Sequence, residues 1–394
     1  MATVLPDPSA LLADPHAVYA RLREDGPVHR IAGPDGLPVW VVTRYADVRQ
    51  LLADPRLSLD KTHRLPGNYR GFSLPPALDE NLLNMNPPDH TRIRRLVVKA
   101  FTPGRVERMR PQVQLLADRL LDAVAERGRA DLVAEFAAPL PITVICDLLG
   151  VPENSRGDFR AWTDAMLSPD PAKPDVTKHA VAAMLMYFPQ LIADKRRLPG
   201  DDLLSELIAV RDEGDRLTED ELTSLAFLIL IAGYENTVQL IGTAVLTLLD
   251  HPDQLAAVRA DLTKVEGAVE EVARFDGPAL LAIRRFPVED VTVGGVTIPA
   301  GETVMLSLAS ANRDPARFRD ADRLDVGRED GGHLALGHGI HYCLGAPLAR
   351  LEAQIALSTL LRRFPGLELD VPRDEVRWRP SIRARGLVAL PVRF

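Results

Sequence analysis

Residues 336–345 read Leu-Gly-His-Gly-Ile-His-Tyr-Cys-Leu-Gly and are the most informative stretch of this chain. Glycines permit a tight loop whose backbone can approach a flat ligand closely. A helical pattern follows Cys343 and runs through Leu351 to Arg363, so the cysteine is predicted at the start of a helix. Unpaired N–H groups and the helix dipole favour a thiolate there, and Gly345 removes side-chain bulk beside the sulfur.

Two other interpretations of this cysteine stay open on the residues alone. A lone cysteine is often a buried apolar side chain without a chemical role. A zinc site formed by His338, His341 and Cys343 is the second alternative. Structural zinc sites usually use paired ligands such as Cys-x-x-Cys, and the sequence has no second ligand cluster of that kind.

The stretch resembles the haem-binding loop of the cytochrome P450 family, Phe-Gly-x-Gly-x-His-x-Cys-x-Gly, except that Leu336 replaces the phenylalanine. The resemblance implies that Cys343 is the proximal ligand of the iron of haem b and that His341 contacts a haem propionate. Gly337 and Gly345 belong to the same loop. Thiolate ligation pushes electron density onto the iron and favours O–O cleavage. Leu336 alters the aromatic packing that is usual beside the sulfur.

A long helix is predicted from Thr218 to about Leu249. Thr218 followed by Glu221 has the pattern of a capping box. A helix of this length spans roughly 45–50 Å at 1.5 Å per residue, so it would cross the whole molecule. Its middle, residues 225–233, is apolar on all sides and is predicted to be buried.

Residues 232–237, Ala-Gly-Tyr-Glu-Asn-Thr, lie midway along this helix and resemble the family pattern Ala/Gly-Gly-x-Asp/Glu-Thr-Thr. The resemblance implies that Gly233 lets the helix pass close to the haem and leaves room for dioxygen, and that Glu235 relays protons. Asn236 replaces the usual alcohol. Thr237 is turned by about 100° around the helix, so it does not simply substitute. We expect proton delivery to use the Asn236 amide, ordered water or a substrate hydroxyl; the alternative is that Asn236 only bonds within a kinked helix.

Glu271 and Arg274 lie at i and i+3 on one predicted helix face. Taken alone they are a solvated pair worth about 0.2–0.5 kcal/mol. They also match the Glu-x-x-Arg motif of the family, which implies that they join a third arginine and fix the scaffold of the haem loop. Arg323 matches that third position, with an ordinary surface arginine as the alternative.

Further residues are implied as partners of the haem propionates. His90 and Arg94 lie at i and i+4 on one predicted helix face. Arg285 matches another propionate-binding arginine, and its neighbour Arg284 is the competing candidate. Two buried carboxylates require cationic or hydrogen-bonding partners, which these side chains would supply. Without the resemblance, the residues around His90 read as a basic surface turn.

The motifs taken together are similar to those of soluble bacterial members of the cytochrome P450 family that tailor natural products such as macrolides and other polyketides. Hydroxylation is the implied reaction, with epoxidation or oxidative coupling as alternatives. The implied substrate segments are mostly apolar with a few polar groups, as in ligand pockets generally. They are residues 64–84, 166–176, 228–233 and 279–283.

The chain has no flavin or iron–sulfur motif of its own, because its only cysteines are Cys146 and Cys343 and no Gly-x-Gly-x-x-Gly follows a strand. A separate ferredoxin and ferredoxin reductase are therefore implied. Basic residues near the expected proximal face are candidates for steering an acidic ferredoxin. They are Arg92, Arg95, Arg105, Arg108 and Arg110. A peroxide-driven enzyme and a non-catalytic haem protein that binds a ligand or recruits a partner are the alternatives.

The composition bounds these interpretations. The chain has 394 residues, of which 46% are hydrophobic and 26% are charged, so it is predicted to be globular and neither disordered nor membrane-spanning. A net charge of −8 does not indicate the overall positive charge that is typical of nucleic-acid-binding proteins. Few cysteines and an N-terminus without a basic and apolar leader favour a reducing compartment. We expect a cytoplasmic monomer in which residues 1–394 form a single domain.

The predicted fold is mainly α with a small β region, as in the cytochrome P450 fold with its long central helix crossing the haem. A long helix is predicted over residues 106–126. Strands are predicted at residues 39–43, in a hairpin at 291–298 with a Gly-Gly turn, and at 386–394. Cys146 lies in an apolar helical stretch and is predicted to be inert core.

Overall fold

The computed structural model describes residues 8–33, 36–69, 74–167, 173–214 and 217–394. Helices dominate this part of the chain. In chain order they are α1 (Pro8–Ala13), α2 (Pro15–Asp25), α3 (Tyr45–Leu52), α4 (Pro76–Asp79), α5 (Asp89–Val97), α6 (Pro103–Arg108), α7 (Arg110–Ala125), α8 (Pro139–Leu149), α9 (Arg156–Leu167), α10 (Pro174–Arg197), α11 (Leu203–Gly214), α12 (Glu219–Asp250), α13 (Pro252–Ala260), α14 (Val265–Asp276), α15 (Leu308–Asn312) and α16 (Ala346–Arg363).

Short strands form small sheets beside the helices. They are β1 (Val28–Ala32), β2 (Pro38–Val42), β3 (Leu57–Ser58), β4 (Arg129–Asp131), β5 (Phe286–Pro287), β6 (Val291–Val293), β7 (Val296–Ile298), β8 (Val304–Leu306), β9 (Glu368–Leu369) and β10 (Pro391–Arg393). In the largest sheets the strand orders are β1-β2-β8 and β4-β10-β9. Strand β2 pairs antiparallel with β1 and parallel with β8, with Trp40 opposite Val304. The prediction of a mainly α fold with a small β region is confirmed.

Helix α12 begins with the predicted capping box. The Glu221 N–H donates to the Thr218 hydroxyl at 3.0 Å, and the Thr218 N–H donates to a Glu221 carboxylate oxygen at 2.9 Å. The helix is buried continuously from Glu221 to Leu230, as its all-round apolar pattern predicts, whereas Ala232 is exposed. The hydrophobic sequence thus places this helix in the core.

Helix α12 is also long and apolar enough, at 32 residues with a mean hydropathy of 1.4 over its best window, to cross a membrane by length and composition alone. The apolar part of α12 is therefore longer than residues 225–233, the run that is strongly apolar in the sequence. However, 67% of that window is buried inside the fold, as in the core helix of a soluble protein.

The largest apolar cluster is built around α12. It includes residues from Leu78 to Val392, and α8, α14 and α16 all pack against α12. A second cluster covers the β1-β2-β8 sheet and includes Val42 and Leu306. Because α16 follows the Cys343 loop directly and packs against α12, these contacts fix the loop relative to the middle of the long helix.

Several predicted elements differ in their bounds. The helix predicted over residues 106–126 is divided into α6 and α7, which meet at Met109, because Pro111 in the first turn of α7 has no N–H to continue the ladder. The predicted hairpin is confirmed as β6 and β7, with Gly294 and Gly295 at φ of 55° and 81°. The C-terminal strand is shorter than predicted and comprises β10. Parts of two predicted substrate segments, residues 70–73 and 168–172, lie outside the described residues.

Candidate functional site

The Cys343 loop is closed by one backbone hydrogen bond, in which the Cys343 N–H donates to the Leu336 carbonyl at 2.8 Å. Gly337 and Gly339 have φ of 75° and 73°, a region that favours glycine. A Cβ on Gly339 would also lie 3.1 Å from the Cα of Ala53, so the loop needs glycine there for packing as well. Helix α16 then begins at Ala346, and the cysteine lies just before it as predicted.

The ionisation of Cys343 is set by opposing effects. Burial raises the pKa of its thiol, while backbone N–H groups of Gly345 and Ala346 and the charges of Arg94 and Arg350 lower it. The N–H groups therefore act in the predicted direction, but burial outweighs them in the protein alone. An electropositive partner for the sulfur is needed before the thiolate is favoured.

His90 and His341 form a pair of imidazoles beside this loop, with ring centroids 4.3 Å apart. Burial lowers the pKa of His90 to about 4, with Arg94 acting in the same direction. Burial lowers the pKa of His341 to about 3, and His90, Arg285 and Arg94 add to the effect. Both ring nitrogens of His90 are buried without a hydrogen-bond partner among the described residues. The cluster thus brings donors and positive charge together, and the described residues supply no acceptor for the His90 ring nitrogens.

Two arginines complete this cluster. Arg94 extends from α5 and donates to the carbonyl of Tyr342 at 2.6 Å. Arg285 is 4% exposed, its Nε has no partner among the described residues, and burial lowers its pKa to about 10. An arginine with so little compensation is costly unless an anion joins it.

Arg284 points into different surroundings. Its guanidinium lies 5.4 Å from the ring of Tyr69 and 5.8 Å from that of Phe286, and its Nη2 donates to Asn84 at 2.7 Å. The charge of Arg285, in contrast, acts on His341. Arg285 therefore lies by the imidazole cluster, and its choice over Arg284 as a propionate partner stays a prediction, since the Nε of each has no partner among the described residues.

The middle of α12 has two exposed residues on one face. Ala232 and Asn236, four residues apart and hence on one face, are both exposed, whereas Thr237 is buried. The hydroxyl of Thr237 donates to the carbonyl of Gly233 at 3.2 Å, so it is bonded within the helix. Asn236 occupies the exposed face, and Thr237 does not replace it.

Gly233 has a packing role that the sequence did not indicate. A Cβ at this position would lie 2.5 Å from Cδ1 of Ile145, which extends from α8. The glycine therefore permits close contact between α12 and α8, and a larger residue at this position would clash with Ile145.

Glu235 extends from the same turn into a hydrogen-bonded site. One carboxylate oxygen accepts from Nη1 of Arg379 at 2.6 Å and from Nε2 of Gln239 at 3.0 Å. The acid in the apolar helix is thus paired, as the cost of burying a lone carboxylate requires.

Glu271 and Arg274 form a buried bidentate pair in α14, with N–O distances of 2.7 and 2.8 Å. The third arginine is Arg328, not the predicted Arg323. Arg328 lies with its Nε 3.1 Å from both Glu271 oxygens. Arg323 is exposed, and its carbonyl accepts from Arg274 at 3.2 Å and from Arg328 at 3.1 Å. The prediction for Arg323 is wrong because the loop turns its side chain outward.

Comparisons with known proteins agree with this geometry. The family model for cytochrome P450 matches residues 177–391. The cytochrome P450 monooxygenase PikC of Streptomyces venezuelae is 51% identical over 390 residues, covering 97% of this chain and 91% of that protein. The chain belongs to the cytochrome P450 family. It is a cytochrome P450 monooxygenase, and its cofactor is haem b.

Two further P450 proteins extend the comparison. The mycinamicin IV hydroxylase/epoxidase of Micromonospora griseorubida is 43% identical over 382 residues, covering 95% of this chain and 94% of that protein. The crystal structure of the myxobacterial cytochrome P450 CYP267B1 in complex with myristic acid superposes with a TM-score of 0.93 at 44% identity, covering 98% of each chain. The relatives of this P450 are soluble bacterial proteins, and the protein is soluble.

The side chains at the P450 site fit haem b. Cys343 offers a sulfur ligand for iron. The buried nitrogens of His90 and Arg285, which lack partners among the described residues, match the need of two propionates for donors and positive charge. Among those residues no group of three or more His, Cys, Asp or Glu side chains is arranged to hold a metal ion, so the zinc alternative gains no support.

The five arginines predicted to steer a ferredoxin differ in their partners. Three form ion pairs with carboxylates of the same chain: Arg92 pairs with Glu221, Arg105 with Glu206, and Arg110 with Glu107. Of the other two, Arg95 is exposed, and Arg108 donates to the carbonyl of Gly104 at 3.2 Å.

Sequence reasoning missed a polar network on the side of the Cys343 loop. Glu270 accepts from Arg350 at 2.6 Å and from His333 at 3.2 Å, and Arg350 also donates to the Tyr342 hydroxyl at 3.1 Å. These residues line a cavity of about 540 Å³ beside the loop. Only the adjacency of Glu270 to the Glu-x-x-Arg motif could have drawn attention to it.

Proposed function

We propose that this P450 binds haem b through Cys343 as the proximal ligand. His90, Arg94, Arg285 and His341 hold the propionates. The single observation that carries the assignment is the buried cluster of imidazole and guanidinium groups, short of acceptors, next to the only cysteine that is not fully buried. Leu336, Gly337 and Gly345 shape the loop around the sulfur.

Bound haem b supplies the activation of dioxygen for insertion of one oxygen atom into the substrate. The residues of α12 control that chemistry from the distal side. Glu235 holds and moves protons, and Asn236 presents its amide on the exposed face of the same turn. Thr237 stabilises the helix through its bond to Gly233. A substrate hydroxyl or ordered water completes the path that an alcohol side chain would otherwise form.

The substrate is an apolar small molecule, a macrolide, polyketide or other secondary metabolite, that is hydroxylated or epoxidised. The relative that is named a mycinamicin IV hydroxylase/epoxidase supports this class. The described parts of residues 64–84, 166–176, 228–233 and 279–283 supply the contacts. A 5% aromatic content favours an aliphatic pocket for such a ligand.

Electrons reach this P450 from a separate ferredoxin and ferredoxin reductase in the cytoplasm, and the enzyme acts as a monomer of one domain. The large apolar cluster that joins Leu78 to Val392 supports one domain. Exposed Arg95 and Lys99, at the end of α5 and just after it, and exposed Tyr342 in the Cys343 loop supply charge and contact area for an acidic protein.

The test is the Soret spectrum of the protein after dithionite reduction and addition of carbon monoxide. We expect a strongly red-shifted band, lost in Cys343→Ser and retained in the control Cys146→Ser. A band at the position of histidine-ligated haem, or no haem, would overturn the assignment. Turnover with ferredoxin and NADPH but not with peroxide alone separates the monooxygenase from a peroxide-driven enzyme, and a panel of macrolactones scored by the iron spin-state shift identifies the substrate class.

A further inference from the structure

Glu235 is tied to a part of the chain far from its own helix. We call residues 378–388 the C-terminal loop. Arg379 in this loop donates to the Glu235 carboxylate at 2.6 Å, across 144 positions of sequence. The two side chains are 25% and 15% exposed, so the pair is largely shielded from water. A charge-assisted hydrogen bond in such surroundings is stronger than one on the surface.

A second contact holds the same loop against the next turn of α12. Gln239 accepts the N–H of Leu387 at 2.7 Å while its amide donates to Glu235 at 3.0 Å. A Cβ on Gly386 would lie 2.7 Å from the Gln239 side chain, so the loop backbone passes against it. The Arg379 N–H donates to the Gly386 carbonyl at 2.7 Å, which closes the loop behind both contacts.

The middle of the C-terminal loop contacts residues 279–283, one of the predicted substrate segments. The Leu280 N–H donates to the Arg383 carbonyl at 3.1 Å, and Ala279 is bridged to Ala384. Ile382 of the loop and Leu281 line an apolar cavity of about 240 Å³. One short loop thus contacts a predicted substrate segment through its middle residues and the acid of α12 through Arg379 near its start.

We propose that Arg379 is a positioning residue that couples the C-terminal loop to Glu235, so that a ligand displacing this loop also reorients the proton-carrying carboxylate. The inference rests on the proposed role of Glu235 in proton delivery. Beside Glu235, the nearby charged side chains have another partner, since Tyr234 donates to Asp164 at 2.9 Å and Arg160 lies 3.7 Å from Asp164. Among the described residues, Arg379 is the cation within ion-pair distance of Glu235.

The test compares haem-loaded wild type with Arg379→Gln and Arg379→Lys. The first readout is hydrogen exchange of the backbone amides at residues 386–388. The second is hydrogen peroxide released per NADPH, with a surrogate ferredoxin and reductase, with and without myristic acid as the probe. Two electrons from NADPH and two protons convert one dioxygen into one hydrogen peroxide, so misdirected protons appear in this ratio.

We expect Arg379→Gln to accelerate exchange at least about threefold by loosening the local structure and to raise the peroxide ratio at least about twofold because the acid is misplaced. Arg379→Lys retains the cation and restores both. The matched control is Arg373→Gln, which breaks the 2.8 Å pair between Arg373 and Asp250 at the far end of α12 and leaves both readouts at the wild-type level.

Unchanged exchange in Arg379→Gln overturns the tie between loop and helix. Faster exchange with an unchanged peroxide ratio would show that Arg379 holds the loop in place but does not affect proton delivery, and would overturn the proposed coupling. Failure of the proposed function is recognised separately, because it removes the red-shifted carbon monoxide band from the wild type, whereas failure of this inference leaves that band in every variant.

Discussion

Arg328 and Glu271 form the second ion pair of the buried scaffold on α14, with the Arg328 Nε 3.1 Å from both carboxylate oxygens. The Arg328 side chain is 9% exposed and that of Glu271 is 3% exposed. Arg328 also donates to the carbonyl of Arg319 at 2.7 Å. This single side chain therefore anchors the loop that precedes the Cys343 loop onto α14.

Replacing Arg328 is expected to destabilise the protein strongly. Arg328→Gln removes one of two cations from a buried carboxylate and should lower the free energy of unfolding by about 3 kcal/mol. The matched control is Arg323→Gln, which changes an exposed side chain and should cost less than about 0.5 kcal/mol. Urea unfolding followed by circular dichroism measures both, and similar losses in the two variants would contradict the assignment of Arg328.

Those elements that are determined by residues close together in the sequence were predicted. The capping box at Thr218 and the apolar run after it located α12, and the glycines around Cys343 located the loop. It did not distinguish Arg328 from Arg323, because which of the two side chains turns inward is decided by tertiary contacts of an irregular loop. The pairing of Arg379 with Glu235 joins residues 144 positions apart, and no spacing in a single sequence indicates it.

Glycine at position 233 is expected to be required for the contact between α12 and α8. An alanine normally stabilises a helix relative to glycine by about 1 kcal/mol. At this position its Cβ would meet Cδ1 of Ile145 at 2.5 Å. Overpacking of this kind costs about 1–3 kcal/mol, so Gly233→Ala should give a net loss of up to about 2 kcal/mol in the free energy of unfolding.

A second substitution tests the cause. Ile145→Val removes the clashing methyl group, and in that background Gly233→Ala should be neutral or stabilising. Urea unfolding of the four proteins gives the coupling between the two sites. Additive effects would show that the glycine is needed for another reason, such as clearance on the haem side of the helix.

Cys146 is expected to be chemically inert in the folded protein. It is fully buried in α8, and burial raises the pKa of its thiol to about 12. Because the thiolate is the reactive form, iodoacetamide at pH 8 should leave Cys146 unmodified in the native protein. Mass spectrometry after digestion reads the result, and the protein unfolded in urea, where both cysteines should react, is the control. Native labelling of Cys146 would contradict the buried assignment.

Asn236 is expected to take part in proton delivery, because it is exposed on the face of α12 that Ala232 shares while Thr237 bonds back to Gly233. Asn236→Ala should lower product formed per NADPH by at least about tenfold, since a positioned proton-transfer group is worth roughly 10²–10⁴-fold. Asn236→Thr restores a hydroxyl at this position and should keep most of the ratio. Thr237→Val, which removes only the helix-bonded hydroxyl, is the matched control and should change the ratio little. If both Asn236 variants keep the wild-type ratio and rate, the amide has no part in the reaction and serves only the helix.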